Sequence, residues 1–215
     1  MEDVYFKPFI VKNYFDNGGI FKKKILVLGE SHYCGECEHC NQPDDDGCKN
    51  FTNKVIKKDY LEDGQRGYWA NTFRKFEHAL VGELPDYQGT HDIWNSLAFY
   101  NYIQRAMHDQ DERPSVEDWK SPKTVKAFYE VLNELEPDYI IGWGSTDMYE
   151  QMPGDFWQSK DDIKIEDRPY NVPNGTYQTS SEKVVPILFG YHPAYKGYKI
   201  STWNKVYSDF LNSKK

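Results

Sequence analysis

The segment that most constrains this chain covers residues 24–48. It begins with a short, continuous apolar run of strand-forming residues, Ile25 to Leu28, which predicts a buried strand. Gly29 follows directly, and residues 30–33, Glu-Ser-His-Tyr, then place four reactive or stacking side chains in one turn. Because ligands of open α/β sheets bind just past the carboxyl ends of strands, this turn is expected to form one wall of a site.

Three more apolar runs predict strands in the order in which the chain continues. They occupy the end of residues 93–103, residues 139–142 and residues 184–189. Polar stretches at 41–66 and 153–182 are expected to be a loop excursion and a turn-rich connection.

Helical patterns separate these predicted strands. Aromatic and aliphatic residues recur at helical spacing over 69–80, and Ser121-Pro122 opens a helix with one apolar face that ends before Pro137. A last helix is expected to be capped at Ser201. Strands that alternate with helices predict an α/β fold, a three-layer α/β/α sandwich around a central, mostly parallel, four-stranded sheet.

Length and composition limit the class of protein. A chain of 215 residues is expected to form one domain over residues 1–215, with a cysteine-rich insertion at about 34–66. Without a signal pattern or a run of about 18 apolar residues, the sequence predicts a cytoplasmic protein with no membrane partner. The net charge of -8 argues against a protein that grips long nucleic acid by bulk electrostatics, although local lysines leave room for a small basic patch.

Polar groups stand at three of the predicted strand ends. Glu30 follows the first strand, Asn101 lies at the second and His192 follows the fourth. In a parallel sheet these ends share one edge, so we expect the three side chains to converge there. An isolated Asn or His at such a position is more often a turn residue, and the argument therefore depends on their joint occurrence.

All the cysteines lie in the insertion: Cys34, Cys37, Cys40 and Cys48, spaced C-x2-C-x2-C-x7-C. Two overlapping C-x2-C pairs with a fourth cysteine can close a tetrahedral thiolate site, which predicts structural zinc. The C-x2-C-x2-C run also suits an iron–sulfur cluster, and free or redox-active thiols are a third possibility.

The order of these motifs resembles the uracil-DNA glycosylase superfamily, above all the branch whose first motif is Gly-Glu-Ala-Pro-Gly. The resemblance spans residues 24 to about 211. The matching pieces are Leu28 to Tyr33, Gly67-Tyr68-Trp69, Tyr100-Asn101-Tyr102-Ile103 with Arg113-Pro114, Leu135 to Gly144, and Gly190-Tyr191-His192-Pro193-Ala194-Tyr195.

The resemblance implies a DNA-repair hydrolase with damaged or single-stranded DNA as its partner. It would flip a deaminated base, such as uracil, into a pocket and hydrolyse its N-glycosidic bond. His192 would stabilise the leaving base, and Glu30 would orient water or stabilise the sugar cation. Asn101 would pair with the edge of the base.

The same resemblance implies a base pocket built by the first two motifs. One of Tyr33, Tyr68 and Trp69 would stack on the base, and Ser31 and His32 would lie against it.

Two departures from the family pattern alter this site. Ala-Pro-Gly becomes Ser31-His32-Tyr33, and His-Pro-Ser becomes His192-Pro193-Ala194, which loses a hydroxyl that could meet a phosphate. Lys196 and Lys199 are the candidates to contact phosphate in its place.

Two other hypotheses use the same residues. The chain can be a non-catalytic module of this fold that binds a nucleobase or nucleic acid, which the altered first motif and the acidic charge favour. Alternatively, the strand-Gly-Glu-Ser turn resembles that of small serine esterases, in which Ser31 would be the nucleophile and His192 its base. Those esterases place an aspartate three residues before the histidine, and this chain has Phe189 there.

Overall fold

The structure is a computed structural model that describes most of the chain. Its description covers residues 1–34, 46–64, 67–107, 111–165 and 171–213, with backbone alone at 46, 47 and 145–147. Over these ranges, no helix combines the length and the apolar character needed to cross a bilayer.

The strands lie at the following positions: β1 Ile25–Gly29, β2 His32–Tyr33, β3 Leu97–Asn101, β4 Ala106–Met107, β5 Tyr139–Trp143, β6 Trp157–Ser159, β7 Ile163–Lys164, β8 Asn171–Val172, β9 Asn174–Gln178 and β10 Val184–Gly190.

The α-helices lie at the following positions: α1 Lys12–Phe15, α2 Asp46–Lys49, α3 Phe51–Asn53, α4 Ala70–Val81, α5 Tyr87–Trp94, α6 Val116–Lys120, α7 Pro122–Leu135, α8 Ser145–Gln151 and α9 Ile200–Asn212. A 3-10 turn, Gly19–Phe21, precedes β1, and a π-helix, Lys54–Glu62, follows α3.

The central sheet has the order β3-β1-β5-β10-β9-β6. Strands β3, β1, β5 and β10 are parallel to one another, whereas β9 is antiparallel to β10 and to β6. The α/β class, the mostly parallel sheet and all four predicted strands are therefore confirmed. The predicted number of four strands is wrong, because β9 and β6 extend the sheet to six.

The added strands come from the polar stretch that the sequence predicts to be turn-rich. Strand β9 carries the residues Asn-Gly-Thr-Tyr-Gln and has no apolar run. The side chain of Asn174 is buried because its amide donates to the carbonyl oxygen of Asp161 at 2.8 Å. Gly175 leaves space for the Trp157 ring of β6, which would stand 2.1 Å from a Cβ at that position. Polar residues thus fill this part of the sheet without an apolar pattern.

Helices cover both faces of the sheet. Side chains of β1, β3 and β5 that alternate along each strand enter two separate apolar clusters, one with α4 and α9 and one with α7 and α8. The helices expected at 69–80 and after Ser121 are confirmed as α4 and α7.

Two local predictions are wrong. Helix α9 is not capped at Ser201: its first backbone bond runs from Trp203 N–H to the Lys199 carbonyl, so Lys199 is the N-cap. The stretch 41–66 is expected to be a loop excursion. Its described residues are 46–64, and they are helical over most of 46–62. There, Ile56, Tyr60 and Leu61 of the π-helix are buried in the core, an apolar pattern that the surrounding charges obscure.

Candidate active site

The carboxyl ends of the parallel strands meet at one edge of the sheet. Gly29 at the end of β1 is in register with Asn101 at the end of β3, and Trp143 at the end of β5 is in register with Gly190 at the end of β10. The strand ends that carry Glu30, Asn101 and His192 are therefore at the same edge. Strands β3 and β10 are three strand spacings apart, about 14 Å, with β1 and β5 between them.

Asn101 lies directly over the backbone of the first motif. Its residue is half-buried, and its Oδ1 would lie 2.0 Å from a Cβ placed on Gly29. The ring of Phe99 would lie 2.9 Å from the same Cβ. Glycine at position 29 therefore creates the space in which the Asn101 amide sits, and this amide can offer a donor and an acceptor together.

Trp143 is the last residue of β5, which lies between β1 and β10 in the sheet. Its ring is buried and packs edge-to-face on Phe76 and Phe99, with centroids 4.8 and 5.2 Å away. The His192 ring lies 6.0 Å from it at 87°. No role was predicted for Trp143 from the sequence. It is an aromatic residue at the carboxyl end of a predicted strand, a feature that could have identified it as part of the site.

His192 is held in a defined tautomer by the chain that follows it. The backbone N–H of Ala194 donates to His192 Nδ1 at 3.2 Å, so in the neutral ring the proton is on Nε2. Desolvation by the surrounding protein, and to a lesser extent the positive charge of Arg113, lower the pKa of His192 to about 4. The site thus presents a neutral imidazole with an Nε2–H donor at pH 7.

Tyr33 and Arg113 lie at the side of this edge. The Tyr33 hydroxyl donates to the Glu112 carbonyl oxygen at 3.2 Å and accepts from Arg113 Nη1 at 3.2 Å. The segment is anchored by Arg105, which binds both carboxylate oxygens of Asp118 and lowers the pKa of Asp118 to about 2. Arg113 belongs to the Arg-Pro pair of the resemblance but was not among the predicted site residues.

The side chains of the first motif lie in different surroundings. Glu30 is half-buried, and its carbonyl oxygen accepts from the Ile103 N–H at 2.9 Å. Ser31 Oγ is buried and makes no hydrogen bond with any described residue.

His32, expected to lie against the base, is instead packed beneath this edge. It is 3% exposed and stacks on Phe6 at 4.1 Å, and its Nε2 is 2.7 Å from the Thr52 hydroxyl oxygen. Burial lowers the pKa of His32 to about 3. The ring links the N-terminal arm and α3 to the strand end.

The predicted stacking and phosphate-contact residues differ in their exposure. Tyr68 is 86% exposed, whereas Trp69 is half-buried and packs at 5.6 Å on Phe73 in the first turn of α4. Lys196 and Lys199 are exposed in the turn between His192 and α9.

The predicted metal ligands are only partly within the described residues. Cys37 and Cys40 lie outside them. Cys34 follows Tyr33 directly and is disulfide-bonded, a state in which its sulfur is not a thiolate ligand. Cys48 is buried in a small cluster with Phe6 and Ala106. Among the described residues, no group of three or more His, Cys, Asp or Glu side chains is arranged to hold a metal ion.

Two cavities lie away from the strand ends. One of about 70 Å³ is enclosed by the π-helix, α4 and α5 and is lined by Tyr60, Arg74 and Glu77, among others. One of about 210 Å³ lies between β7 and α9. Neither is lined by a predicted catalytic or base-binding residue.

No protein-family model and no curated protein matches this chain.

Proposed function

We propose that this protein is a DNA glycosylase-like hydrolase that acts on a flipped, deaminated base such as uracil. The observation that carries the proposal is the Ala194 N–H bond to His192 Nδ1, because it leaves Nε2–H as a fixed donor at the sheet edge that also holds Asn101. A base with a carbonyl oxygen beside its glycosidic nitrogen matches this arrangement.

The reaction breaks the bond between the sugar C1′ and the base nitrogen, and the bonding electrons leave with the base. His192 Nε2–H donates to the base oxygen on which negative charge collects, an electrostatic effect worth roughly 10²–10³ in rate. The Asn101 amide pairs with the edge of the base through its donor and acceptor. Glu30 accepts a proton from the attacking water or faces the sugar cation, and water supplies the hydroxyl group that ends on C1′.

Buried aromatic residues support the His192 ring. Trp143 is 2% exposed and packs among Phe76, Phe99 and His192, so it holds His192 from inside the core and leaves little of its own ring for a ligand. Tyr33, tied to Arg113 at 3.2 Å, is the best positioned of the predicted aromatics to border the base at the side.

We propose that the reduced protein binds structural zinc. Four thiolates from Cys34, Cys37, Cys40 and Cys48 would cross-link the insertion next to Tyr33. The disulfide at Cys34 requires reduction before that can occur. Metal analysis of protein purified under reducing conditions tests this: one zinc per chain supports it, and iron with bound sulfide would select the iron–sulfur cluster instead.

The runner-up is a non-catalytic module that binds a base at the same edge. The net charge of -8 and the altered first motif favour it. The esterase hypothesis has less support, since a serine nucleophile needs a base within hydrogen-bond reach and Ser31 Oγ makes no hydrogen bond with a described residue.

The test is release of free base from oligonucleotides that contain uracil, hypoxanthine or xanthine. Strand cleavage by alkali reports the abasic site, and mass spectrometry identifies the base. Release of uracil supports the proposal, whereas release of hypoxanthine or xanthine alone would keep the glycosylase reaction and contradict the role of His192, since the glycosidic nitrogen of these purines has no carbonyl beside it. Tight binding of the same oligonucleotides without release would select the binding module.

A further inference from the structure

We infer that the cavity between the π-helix, α4 and α5 binds a small α-amino acid, such as glycine or alanine. This inference goes beyond the proposed function, because the cavity lies away from the strand ends. It is carried by three side chains that line the cavity: the buried carboxylate of Glu77, the guanidinium group of Arg74 and the imidazole of His91.

The Glu77 carboxylate is 1% exposed and has room for one more hydrogen bond. Its Oε1 accepts from both Tyr60 and Trp94, whereas its Oε2 accepts from the Thr90 hydroxyl alone, at 3.1 Å. A carboxylate can accept about four hydrogen bonds, so Oε2 can take a further donor.

Glu77 also forms no ion pair with any described residue. A buried carboxylate that lacks a cation is costly, because hydrogen bonds offset only part of its lost hydration. A ligand with a positively charged ammonium group would supply both the missing donor and the missing charge.

His91 contributes a second polar atom with unused capacity. Its Nε2 is buried and has no hydrogen-bond partner among the described residues. The ring of Tyr87 lies 4.4 Å from the His91 ring and limits its movement. An unpartnered buried nitrogen costs free energy, and a polar ligand in the cavity would recover it.

The charges around the cavity have both signs. Asp86 is at the exposed rim, where its Oδ1 accepts from the Gly89 N–H at 2.7 Å and caps α5. Arg74 is half-buried, and within the described part of the chain its guanidinium group donates to Asn71 alone, although it has five N–H donors. A simple cation would meet Arg74, and a simple anion would meet Glu77 and Asp86. An α-amino acid places its ammonium group near the carboxylates and its own carboxylate near Arg74.

The size of the cavity selects small ligands. Its volume of about 70 Å³ has room for roughly five to seven water molecules, which matches the non-hydrogen atoms of glycine or alanine. Leu84 and Tyr87 also line it and are 68% and 64% exposed, so a ligand can enter from solvent. An amino acid with a large side chain would not fit.

The experiment is isothermal titration calorimetry of the full chain with glycine, alanine, methylamine, acetate and tryptophan. Methylamine and acetate each carry one of the two charges of an amino acid, and tryptophan tests the size limit. We expect glycine or alanine to bind with a Kd of about 1 mM or below. Methylamine and acetate should each bind at least about 10-fold more weakly, and tryptophan should not bind.

Two variants connect this binding to the cavity. Arg74→Gln should weaken it at least about 10-fold, and His91→Phe should weaken it about 3- to 10-fold. Lys75→Gln and His78→Phe are the matched controls, because both positions are on α4 and neither lines the cavity. Thermal unfolding checks that each variant is folded before titration.

Three results would overturn the inference. The first is the absence of binding by both glycine and alanine. The second is binding of methylamine, acetate or tryptophan that is as tight as that of the small amino acids. The third is an equal effect of Arg74→Gln and Lys75→Gln, which would place the bound amino acid outside this cavity.

Discussion

The backbone N–H of Ala194 donates to Nδ1 of His192, two residues earlier, at 3.2 Å. This bond sets the tautomer of the imidazole and with it the direction in which the ring offers a proton. The serine hydroxyl that the resembled motif has at position 194 is not needed for this, because the donor is the backbone.

Ala194→Pro removes that donor, and it also restricts the backbone of Pro193 in the turn closed by the Tyr195 N–H and the His192 carbonyl. We expect single-turnover base release to fall by about 10-fold with little change in DNA affinity, since the ring is positioned less well but the DNA contacts are kept. Ala194→Ser keeps the N–H and should release base like the unchanged protein. Equal rates for the proline and serine variants would show that this bond does not position His192.

Gly29→Ala should displace Asn101. The new Cβ would be 2.0 Å from Asn101 Oδ1 and 2.9 Å from the buried Phe99 ring, so we expect a loss of stability of about 1–3 kcal/mol. Base release should fall as far as it does in Asn101→Ala, and the double variant should be no worse than either single one. Gly154→Ala is the control because a Cβ there meets nothing within 4 Å. Additive losses in the double variant would argue against this coupling.

His32 should make the fold sensitive to acid. Its pKa is about 3 in the folded protein and about 6.5 when unfolded, so the unfolded chain binds the additional proton between these values. The contribution of the neutral ring is fully present above pH 6.5 and is lost as pH falls toward 3, with a slope of at most about 1.4 kcal/mol per pH unit. Urea unfolding at several pH values should show this slope in the unchanged protein and a smaller one in His32→Phe. Equal slopes would mean that His32 does not titrate in this way.

Glu77 should contribute strongly to stability although it is ionisable and 1% exposed. Its Oε1 accepts from the Tyr60 hydroxyl at 2.7 Å and from Trp94 Nε1 at 2.6 Å, and its Oε2 accepts from the Thr90 hydroxyl at 3.1 Å. Glu77→Ala leaves these donors without their acceptor and should cost about 3 kcal/mol, measured by thermal or urea unfolding. The exposed Glu83→Ala should change stability by less than about 0.5 kcal/mol. Similar values for the two variants would contradict the structural role of Glu77.

The parallel part of the sheet was predictable because its strands are buried on both faces and have continuous apolar runs. Strand β9 was not predictable, since a glycine and hydrogen-bonded polar side chains let it enter the sheet without such a run. The edge that carries Glu30, Asn101 and His192 follows from the parallel order of the strands. The inward position of His32 does not, because it depends on Phe6 and Thr52, which are distant in sequence and carry no pattern that links them to the first motif.

The central claim is that His192 assists departure of the base. Single-turnover release from single-stranded, uracil-containing DNA, measured for the unchanged protein and for His192→Ala, tests it most directly, with His78→Ala on α4 as the control. We expect His192→Ala to slow release of uracil by roughly 10²–10³-fold and His78→Ala to have no effect. Release that is unchanged in His192→Ala would contradict it.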